Sequence, residues 1–264
     1  MRKVQPKVFL ISRPQLDWDQ IREYLTEVGE SALDWADRMW DADTDAGDAL
    51  TEFGGRLCYR SWAPGLNVNV TKVREDSTEY LGNILEQQHG SVMEHANFSF
   101  VLRHVSRVLT HELVRHRAGC AYSQESLRYV RFTDLPVWFP DWALADEELM
   151  YQLRRWVEGT EDLQAWMADH FKLDEPGVKF SAKKMYTSFM RRFAPMGVAT
   201  DILMTMNIRT LRHVIYMRTS MGAEEEIRLV MDQVAQLCLA EFPGLMQDFD
   251  PNEAREWAPK WVKV

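Results

Sequence analysis

Residues 115–128 read RHRAGCAYSQESLR. This stretch concentrates positive charge and hydrogen-bonding groups: the basic triplet Arg115–Arg117 opens it, and a polar run from Tyr122 ends at Arg128. Guanidinium groups can bind phosphate oxygens in a bidentate manner, and the hydroxyl, amide and carboxylate side chains between them can bind the edge of a planar polar molecule. The stretch therefore predicts a binding site for an anionic ligand.

The composition restricts how large such an anion site can be. The chain has 264 residues, of which 46% are hydrophobic and ten are tryptophan, so it can bury a substantial core. Its net charge is −9 and its pI is near 5.3. Nucleic acids and anionic membranes bind broad basic surfaces. Neither partner is expected here, and the anion site must be local.

The cysteines and the apolar segments predict a cytoplasmic protein. Cys58, Cys120 and Cys238 are an odd set without CxxC spacing, which is typical of free thiols in a reducing compartment. The opening MRKVQPKVFLIS lacks the pattern of a signal peptide. No stretch reaches the roughly 18 uninterrupted apolar residues of a membrane span.

The hydrophobic pattern predicts one α+β domain over residues 1–264, with a central, mostly antiparallel sheet flanked by helices. No repeat or flexible linker divides it. Strands are predicted at 4–12, 97–102, 129–132 and 202–208. Helices are predicted at 18–25, 50–58, 79–88, 106–117, 147–171, 182–193, 210–218 and 224–240. A loop is predicted at 136–140, and an extended tail is predicted after Pro243.

Two histidine-containing segments lack the spacing of a metal site. In residues 89–95 (HGSVMEH) no two ligands stand four apart, as two ligands on one helical face require. Residues 111–116 (HELVRH) are one residue longer than the zinc-binding HExxH, and Glu86-x-x-His89 is a single ExxH where a di-iron bundle needs two. No metal is expected, and a structural, hydrogen-bonded histidine is the more common case.

The basic triplet has an ordinary alternative explanation. Basic residues are favoured in the last turn of a helix, so the triplet could simply end a helix before Gly119. On a helix, however, Arg115 and Arg117 would point about 200° apart and would not share one solvent-facing side. A second polar segment, Asn207-Ile208-Arg209, precedes a predicted helix whose N-terminus could bind an anion. GxSxG, Walker A and GxGxxG motifs are absent from the sequence.

Several segments, taken in order, resemble the flavin-dependent thymidylate synthases. The family signature is an RHR triplet followed after seven or eight residues by a serine, and here eight residues separate Arg117 from Ser126. The resemblance extends over more than half of the chain, through the segments GRLCYRS, HGSVMEH, HELVRHR, YSQESLRY, MRRFAP and NIRTLRHVIYMR.

The resemblance implies an α+β domain assembled as a homotetramer with active sites shared between subunits. It implies reductive methylation of dUMP to dTMP, with 5,10-methylenetetrahydrofolate as carbon donor, bound FAD as redox cofactor and NADPH as reductant. In such enzymes the cofactor supplies the redox chemistry, while the protein orients and polarises the reactants.

Carried over by position, the resemblance assigns eight residues to FAD: Ser91, Arg115, His116, Arg117, Gln124, Asn207, Arg209 and His213. It assigns another set to dUMP: Glu112, Arg115, Gln124, Glu125, Ser126, Arg128, Arg191 and Arg218. Three residues are expected to take part in catalysis. Ser126 would position the substrate through its hydroxyl, Arg218 would stabilise charge on the uracil carbonyls, and His89 would lie near the flavin and the folate. Glu125 stands where an apolar residue is common in the family.

Three alternatives remain open from the sequence. Cys120 lies inside the motif and could suggest a cysteine-dependent thymidylate synthase, although the surrounding residues do not resemble that family. A flavin-dependent enzyme of the same fold could instead form a hydroxymethylated pyrimidine nucleotide. A nucleotide-binding module without turnover could also use the arginine cluster to hold its ligand.

Overall fold

An antiparallel sheet forms the centre of the computed structural model, which describes residues 1–128 and 133–263. Within these residues it has four strands in the order β2 (Lys7–Ser12), β3 (Asn97–Ser106), β6 (Ala199–Asn207) and β4 (Cys120–Gln124). Two small pairings lie outside this sheet. The first joins β1 (Arg2–Lys3) in parallel to β5 (Pro136–Val137), and the second joins β7 (Phe249–Pro251) antiparallel to β8 (Trp257–Pro259).

The helices are α1 (Trp18–Val28), α2 (Leu33–Asp41), α3 (Ala46–Tyr59), α4 (Ser77–Glu86), α5 (Arg107–Leu113), α6 (Asp141–Leu144), α7 (Glu147–His170), α8 (Phe180–Met190), α9 (Ile208–Thr219), α10 (Glu225–Glu241) and α11 (Pro243–Met246). Helices α5, α9 and α10 pack against the sheet, and further helices lie beyond them. Short 3₁₀ helices occupy Glu30–Ala32, Gly90–Glu94 and Arg191–Phe193.

The main core lies between the sheet and helices α9 and α10. Strand β3 alternates, so Phe98, Phe100 and Leu102 point into this core while their neighbours point away from it. Buried apolar residues of α9 and α10 pack against them, among them Val214 and Val230. This packing fixes the end of β6, from which α9 starts, and it thereby sets the position of Asn207.

The predicted fold class is confirmed, and most predicted elements are present with shifted ends. The strand predicted at 97–102 extends to Ser106 because the chain continues past an irregularity between Leu102 and Val105. There His104 takes a φ of 58° and donates its backbone N–H to Asp201 Oδ1 at 2.9 Å. The pairing of Val105 and Ser106 with β6 continues beyond this point.

Other predicted boundaries were wrong. The strand predicted at 4–12 corresponds to β2, which begins at Lys7, and the loop predicted at 136–140 contains the short strand β5. The tail after Pro243 is not simply extended, because it forms α11 and the β7–β8 pair. The strand predicted at 129–132 lies outside the described residues.

A buried ion pair joins α9 to the segment that follows α11. Arg212 is 0% exposed and donates to both carboxylate oxygens of Asp248, at 2.8 and 3.0 Å, and also to the backbone oxygen of Leu245. Its guanidinium lies 4.8 Å from the centre of the Phe249 ring. Across residues 1–128 and 133–263, no helix is long and apolar enough to cross a bilayer.

Candidate active site

The basic triplet lies in a turn and not on a helix, which corrects the helix predicted at 106–117. Helix α5 ends at Leu113, and the Tyr122 hydroxyl lies 3.1 Å from each of the backbone oxygens of Leu113 and His116. The single hydroxyl proton of Tyr122, on β4, therefore satisfies one of the carbonyl groups that a continuing helix would use. The argument that Arg115 and Arg117 point 200° apart on a helix does not apply to this turn.

Arg218, near the end of α9, joins this turn to α5. Its Nε donates to His116 Nε2 at 2.9 Å, and its terminal nitrogens donate to Glu112 Oε2 at 2.8 Å and to the Glu112 backbone oxygen at 3.1 Å. The Arg218 side chain is 18% exposed, so one part of it remains accessible to a ligand. Two residues expected to bind dUMP, Glu112 and Arg218, are thus in direct contact.

His116 is held in its neutral form. Burial lowers its pKa to about 4, with further contributions from the positive charges of Arg218, His213 and Arg115. A neutral imidazole with an unprotonated Nε2 can accept the hydrogen bond from Arg218. The ring also lies edge-on to His213, with centroids 5.9 Å apart. His116 therefore contacts Arg218 on one side and His213 on the other.

A cavity of about 370 Å³ collects most of the residues expected to bind FAD. It is lined by Glu94, His116, Arg117, Ala118, Gly119, Asn207, Arg209, Thr210 and His213. The side chain of Asn207 caps α9 by accepting from the backbone N–H of Thr210 at 2.9 Å. Arg209, in the first turn of α9, forms an ion pair with Glu94 at 2.6 Å.

Two glycines permit the close approaches that shape this cavity. Gly119 has a φ of +68°, and a Cβ there would lie 2.5 Å from both Asn207 Nδ2 and Thr210 Oγ1. A Cβ on Gly90 would lie 2.7 Å from Arg209 Nε. The turn after the triplet and the segment that contains Ser91 therefore both lie against the start of α9.

Ser91, which is expected to bind FAD, and His89, which is expected near the flavin and the folate, lie on either side of Gly90. His89 directly precedes the 3₁₀ helix Gly90–Glu94, and its ring stacks on Tyr59 with centroids 6.0 Å apart. Ser91 lies within that helix and is exposed. The contact of Gly90 with Arg209 brings this segment to the edge of the cavity.

A second positively charged region lies at the opposite end of α5. Arg191 is exposed and follows α8. Its positive charge repels that of Arg107, the first residue of α5. Burial, and then Arg191, lower the pKa of Arg107 below its usual value. One Arg107 terminal nitrogen lies 3.4 Å from the backbone oxygen of Glu125. Two arginines whose positive charges interact in this way offer donors for an anion.

The other residues expected to bind dUMP follow the edge strand β4 between these two regions. The Gln124 amide donates to Thr110 Oγ1 on α5 at 3.1 Å, and the Glu125 backbone N–H donates to the backbone oxygen of Asp201 at 3.0 Å. The Ser126 hydroxyl lies 3.5 Å from the backbone nitrogen of Arg128. Arg115 is exposed, and its positive charge makes a small contribution to the lowered pKa of His116.

The motifs in the sequence did not predict a role for Arg107, although one signal was present. Ser106 caps α5 and Arg107 is the first helical residue, where the positive end of the helix dipole disfavours a cation. An arginine at this unfavourable position indicates a role other than helix stability. Its neighbour Arg191 is distant in sequence, and only the fold brings the two together.

The arrangement suits an extended anionic ligand that has a planar polar part. Arg107 and Arg191 offer cationic donors at one end, and Arg218 offers a fixed guanidinium beside neutral His116 at the other. Within residues 1–128 and 133–263, no group of three or more His, Cys, Asp or Glu side chains is placed to hold a metal ion.

The comparisons with known proteins support one family. The model of the family described as thymidylate synthase complementing protein matches residues 41–244. The flavin-dependent thymidylate synthase of Mycolicibacterium gilvum (strain PYR-GCK) is 35% identical over 219 residues, covering 81% of this chain and 84% of the relative. That of Mycobacteroides abscessus is 36% identical over 223 residues, covering 80% and 83% respectively.

A solved structure agrees on the fold. A UMP/dUMP methylase, PolB, from Streptomyces cacaoi bound with 5-Br dUMP superposes with a TM-score of 0.60 at 16% identity, covering 93% of this chain and 95% of that one. At this identity the likeness supports the shared fold alone. The family model and the identity to the curated relatives decide the family, and the expectation of an enzyme is confirmed with them. The chain belongs to the flavin-dependent thymidylate synthase family.

Proposed function

We propose that this chain catalyses the reductive methylation of dUMP to dTMP, with 5,10-methylenetetrahydrofolate as the carbon donor, FAD as the bound cofactor and NADPH as the reductant. The observation that carries the proposal is the contact of Arg218 with His116 and Glu112, between the cavity at the start of α9 and the Arg107–Arg191 region. The family and the names of its members support this choice of reaction.

The residues around the 370 Å³ cavity fit part of a flavin dinucleotide. Arg117 and Arg209 can offset the charge of a pyrophosphate, and the start of α9 adds the positive end of a helix dipole. The side chains of His213 and Asn207 add polar groups at the same wall. When bound, the flavin would supply the hydride and one-carbon transfer chemistry. Pockets for drug-sized ligands measure about 300–1,000 Å³. FAD is larger than such a ligand and this cavity is near the lower end of that range, so it would hold only a part of FAD.

The dUMP phosphate would bind at the other end of the groove. Arg191 and Arg128 are the residues that the resemblance assigns to it, and the desolvated Arg107 beside Arg191 would join them. From there, Gln124, Glu125 and Ser126 would face the uracil edge, where Ser126 acts as a positioning hydroxyl.

Arg218 would act on the reacting ring. Charge develops on the uracil carbonyl oxygens when C5 becomes nucleophilic, and a guanidinium held in place by two neighbours stabilises that charge without reorganising. Neutral His116 and the carboxylate of Glu112 hold the guanidinium. His89 and Ser91, which lie at the edge of the cavity, would face the flavin and the folate.

The reaction can be tested with dUMP, methylenetetrahydrofolate and NADPH, with and without added FAD. We expect a yellow protein whose flavin absorbance bleaches on adding NADPH, and dTMP that forms only when FAD is present. Mass spectrometry of the product would separate a methyl from a hydroxymethyl group. A colourless protein that binds dUMP without turnover would contradict the proposal and favour a binding module.

We further propose that the chain forms a homotetramer whose active sites are shared between subunits. We also propose that the protein is cytoplasmic and that its single domain spans residues 1–264. Exposed apolar side chains along α7 and α8 support an assembly, since large exposed apolar patches often mark interfaces: Tyr151, Trp156, Leu163, Trp166, Met185 and Phe189. Light scattering should give a mass four times that of the chain, and Trp166→Glu should lower it. A monomeric mass for an active enzyme would contradict this part of the proposal.

A further inference from the structure

A buried carboxylate lies behind the candidate active site, on a helix to which none of the expected site residues belongs. Glu226, the second residue of α10, is 2% exposed. It accepts hydrogen bonds from the backbone N–H of Ser106 at 2.8 Å and from the Ser106 hydroxyl. Burying a carboxylate is unfavourable unless its oxygens have partners, and here a single residue supplies both.

Ser106 links Glu226 to helix α5. Its side-chain oxygen caps the helix by accepting from the backbone N–H of Leu109 at 3.1 Å. Arg107 follows it directly, and Glu112 lies on the same short helix. Because α5 has only seven residues, its first turn largely determines where both of these side chains lie.

The start of α10 also affects α5 electrostatically. Glu224 caps α10 by accepting from the backbone N–H groups of Glu226 at 2.9 Å and Ile227 at 3.3 Å. Burial raises the pKa of Glu224, and the charge of Glu112 contributes to this rise. Burial also raises the pKa of Glu226 to about 7, with Glu224 as the nearby charge that adds to it.

We propose that Glu226 is a positioning residue for the nucleotide site: through Ser106 it fixes the first turn of α5, so that Arg107 stays beside Arg191 and Glu112 stays on Arg218. The inference rests on the proposed function, because it assigns the nucleotide to this groove. Glu226 itself would touch neither the substrate nor the cofactor.

Glu226→Gln tests the inference while keeping the size of the side chain. Glutamine offers one acceptor oxygen to the two donors of Ser106, so one of them loses its partner. Arg107 directly follows Ser106 and would bind the phosphate equally in the ground state and the transition state, whereas Glu112 and Arg218 also hold each other through their own ion pair, so the loss should appear mainly in binding. We expect the KM for dUMP to rise roughly tenfold while kcat changes less than about threefold. The Kd for dUMP, measured by calorimetry without folate or NADPH, should rise by the same factor.

Two further variants keep the test decisive. Glu225→Gln changes the adjacent exposed carboxylate, which accepts from Trp142 at 3.1 Å, and it should leave the Kd for dUMP unchanged. Ser106→Ala leaves Glu226 in place but removes the cap, and it should weaken dUMP binding as Glu226→Gln does. If both substitutions act through one contact, the double variant should bind dUMP with the same Kd as the single variant that binds it less tightly.

Several outcomes would overturn the inference. A lower Tm in Glu226→Gln with an unchanged Kd for dUMP would leave the residue a purely structural role, and additive effects with Ser106→Ala would separate it from the cap. A wild-type chain that neither binds dUMP nor forms dTMP would instead overturn the proposed function. If Glu226→Gln does not fold, Ser106→Ala decides alone, and an unchanged Kd in that variant counts against the inference.

Discussion

Arg218→Ala should lower kcat/KM for dTMP formation by roughly 10²–10³-fold, mostly through kcat. The wild-type guanidinium is held by His116 at 2.9 Å and by Glu112 at 2.8 Å, so it is ordered before the substrate binds. Alanine removes the donor that would stabilise charge on the uracil carbonyls, and it leaves the carboxylate of Glu112 without its ion-pair partner. Steady-state kinetics with varied dUMP would separate the effect on kcat from that on KM.

Two variants sharpen this test. Arg218→Lys keeps the charge but cannot bridge both partners with a planar fork, so it should recover only a part of the activity. Met217→Ala changes the adjacent, 46% exposed side chain and should retain nearly full activity. An Arg218→Ala enzyme within about threefold of wild type would remove Arg218 from the chemistry.

The same variant has a second readout in His116. The positive charge of Arg218 helps to lower the pKa of this histidine, after burial as the larger cause. Removing that charge should raise the pKa from about 4 toward its ordinary value, so that protonation occurs at a higher pH. An NMR titration of the His116 ring would measure this shift even in an inactive protein.

Arg212→Ala should lower the free energy of unfolding by about 3–5 kcal/mol and the Tm by roughly 10 °C. Arg212 and Asp248 are 0% and 2% exposed, and removing the arginine would leave a buried carboxylate without its cation. The backbone oxygen of Leu245 would lose its donor as well. Urea unfolding of the variant and the wild type would measure the difference.

The control for Arg212 is an exposed ion pair between the same two residue types. Arg22 donates to Asp37 at 2.9 Å with both side chains well exposed, and pairs of this kind contribute about 0–1 kcal/mol. Arg22→Ala should therefore change stability little. The double variant Arg212→Met with Asp248→Leu should recover much of the loss, because it removes both buried charges together. A loss in Arg212→Ala no larger than that in Arg22→Ala would contradict the prediction.

Elements with a strong local pattern could be predicted from the sequence. The alternation around Phe98 and Phe100 indicated β3, and the long apolar periodicity near Met150 indicated α7. Their ends could not be predicted from the local pattern, because a strand or helix ends where its backbone groups find other partners. The irregularity near His104 extends β3 through a hydrogen bond to Asp201 of β6, which no local pattern reveals.

The helix predicted at 106–117 shows the same limit at the candidate site. Gly119 was a reasonable stop signal, yet α5 already ends at Leu113, whose backbone carbonyl accepts a hydrogen bond from the Tyr122 hydroxyl. Arg107 was overlooked because its significance depends on Arg191, which lies far along the chain. Glu226 carried no motif, and its role follows only from its contact with Ser106.

The sequence by itself determined the α+β class, the family and the residue types of the anion site, because local periodicity and an ordered set of motifs are written along the chain. The tertiary structure alone decided which of these residues meet. Arg218 reaches His116 and Glu112 across more than one hundred positions, and Arg209 reaches Glu94 over a similar separation. Such contacts depend on how β6 and α9 pack against β3, β4 and α5, and long-range packing of this kind has no local signature in the sequence.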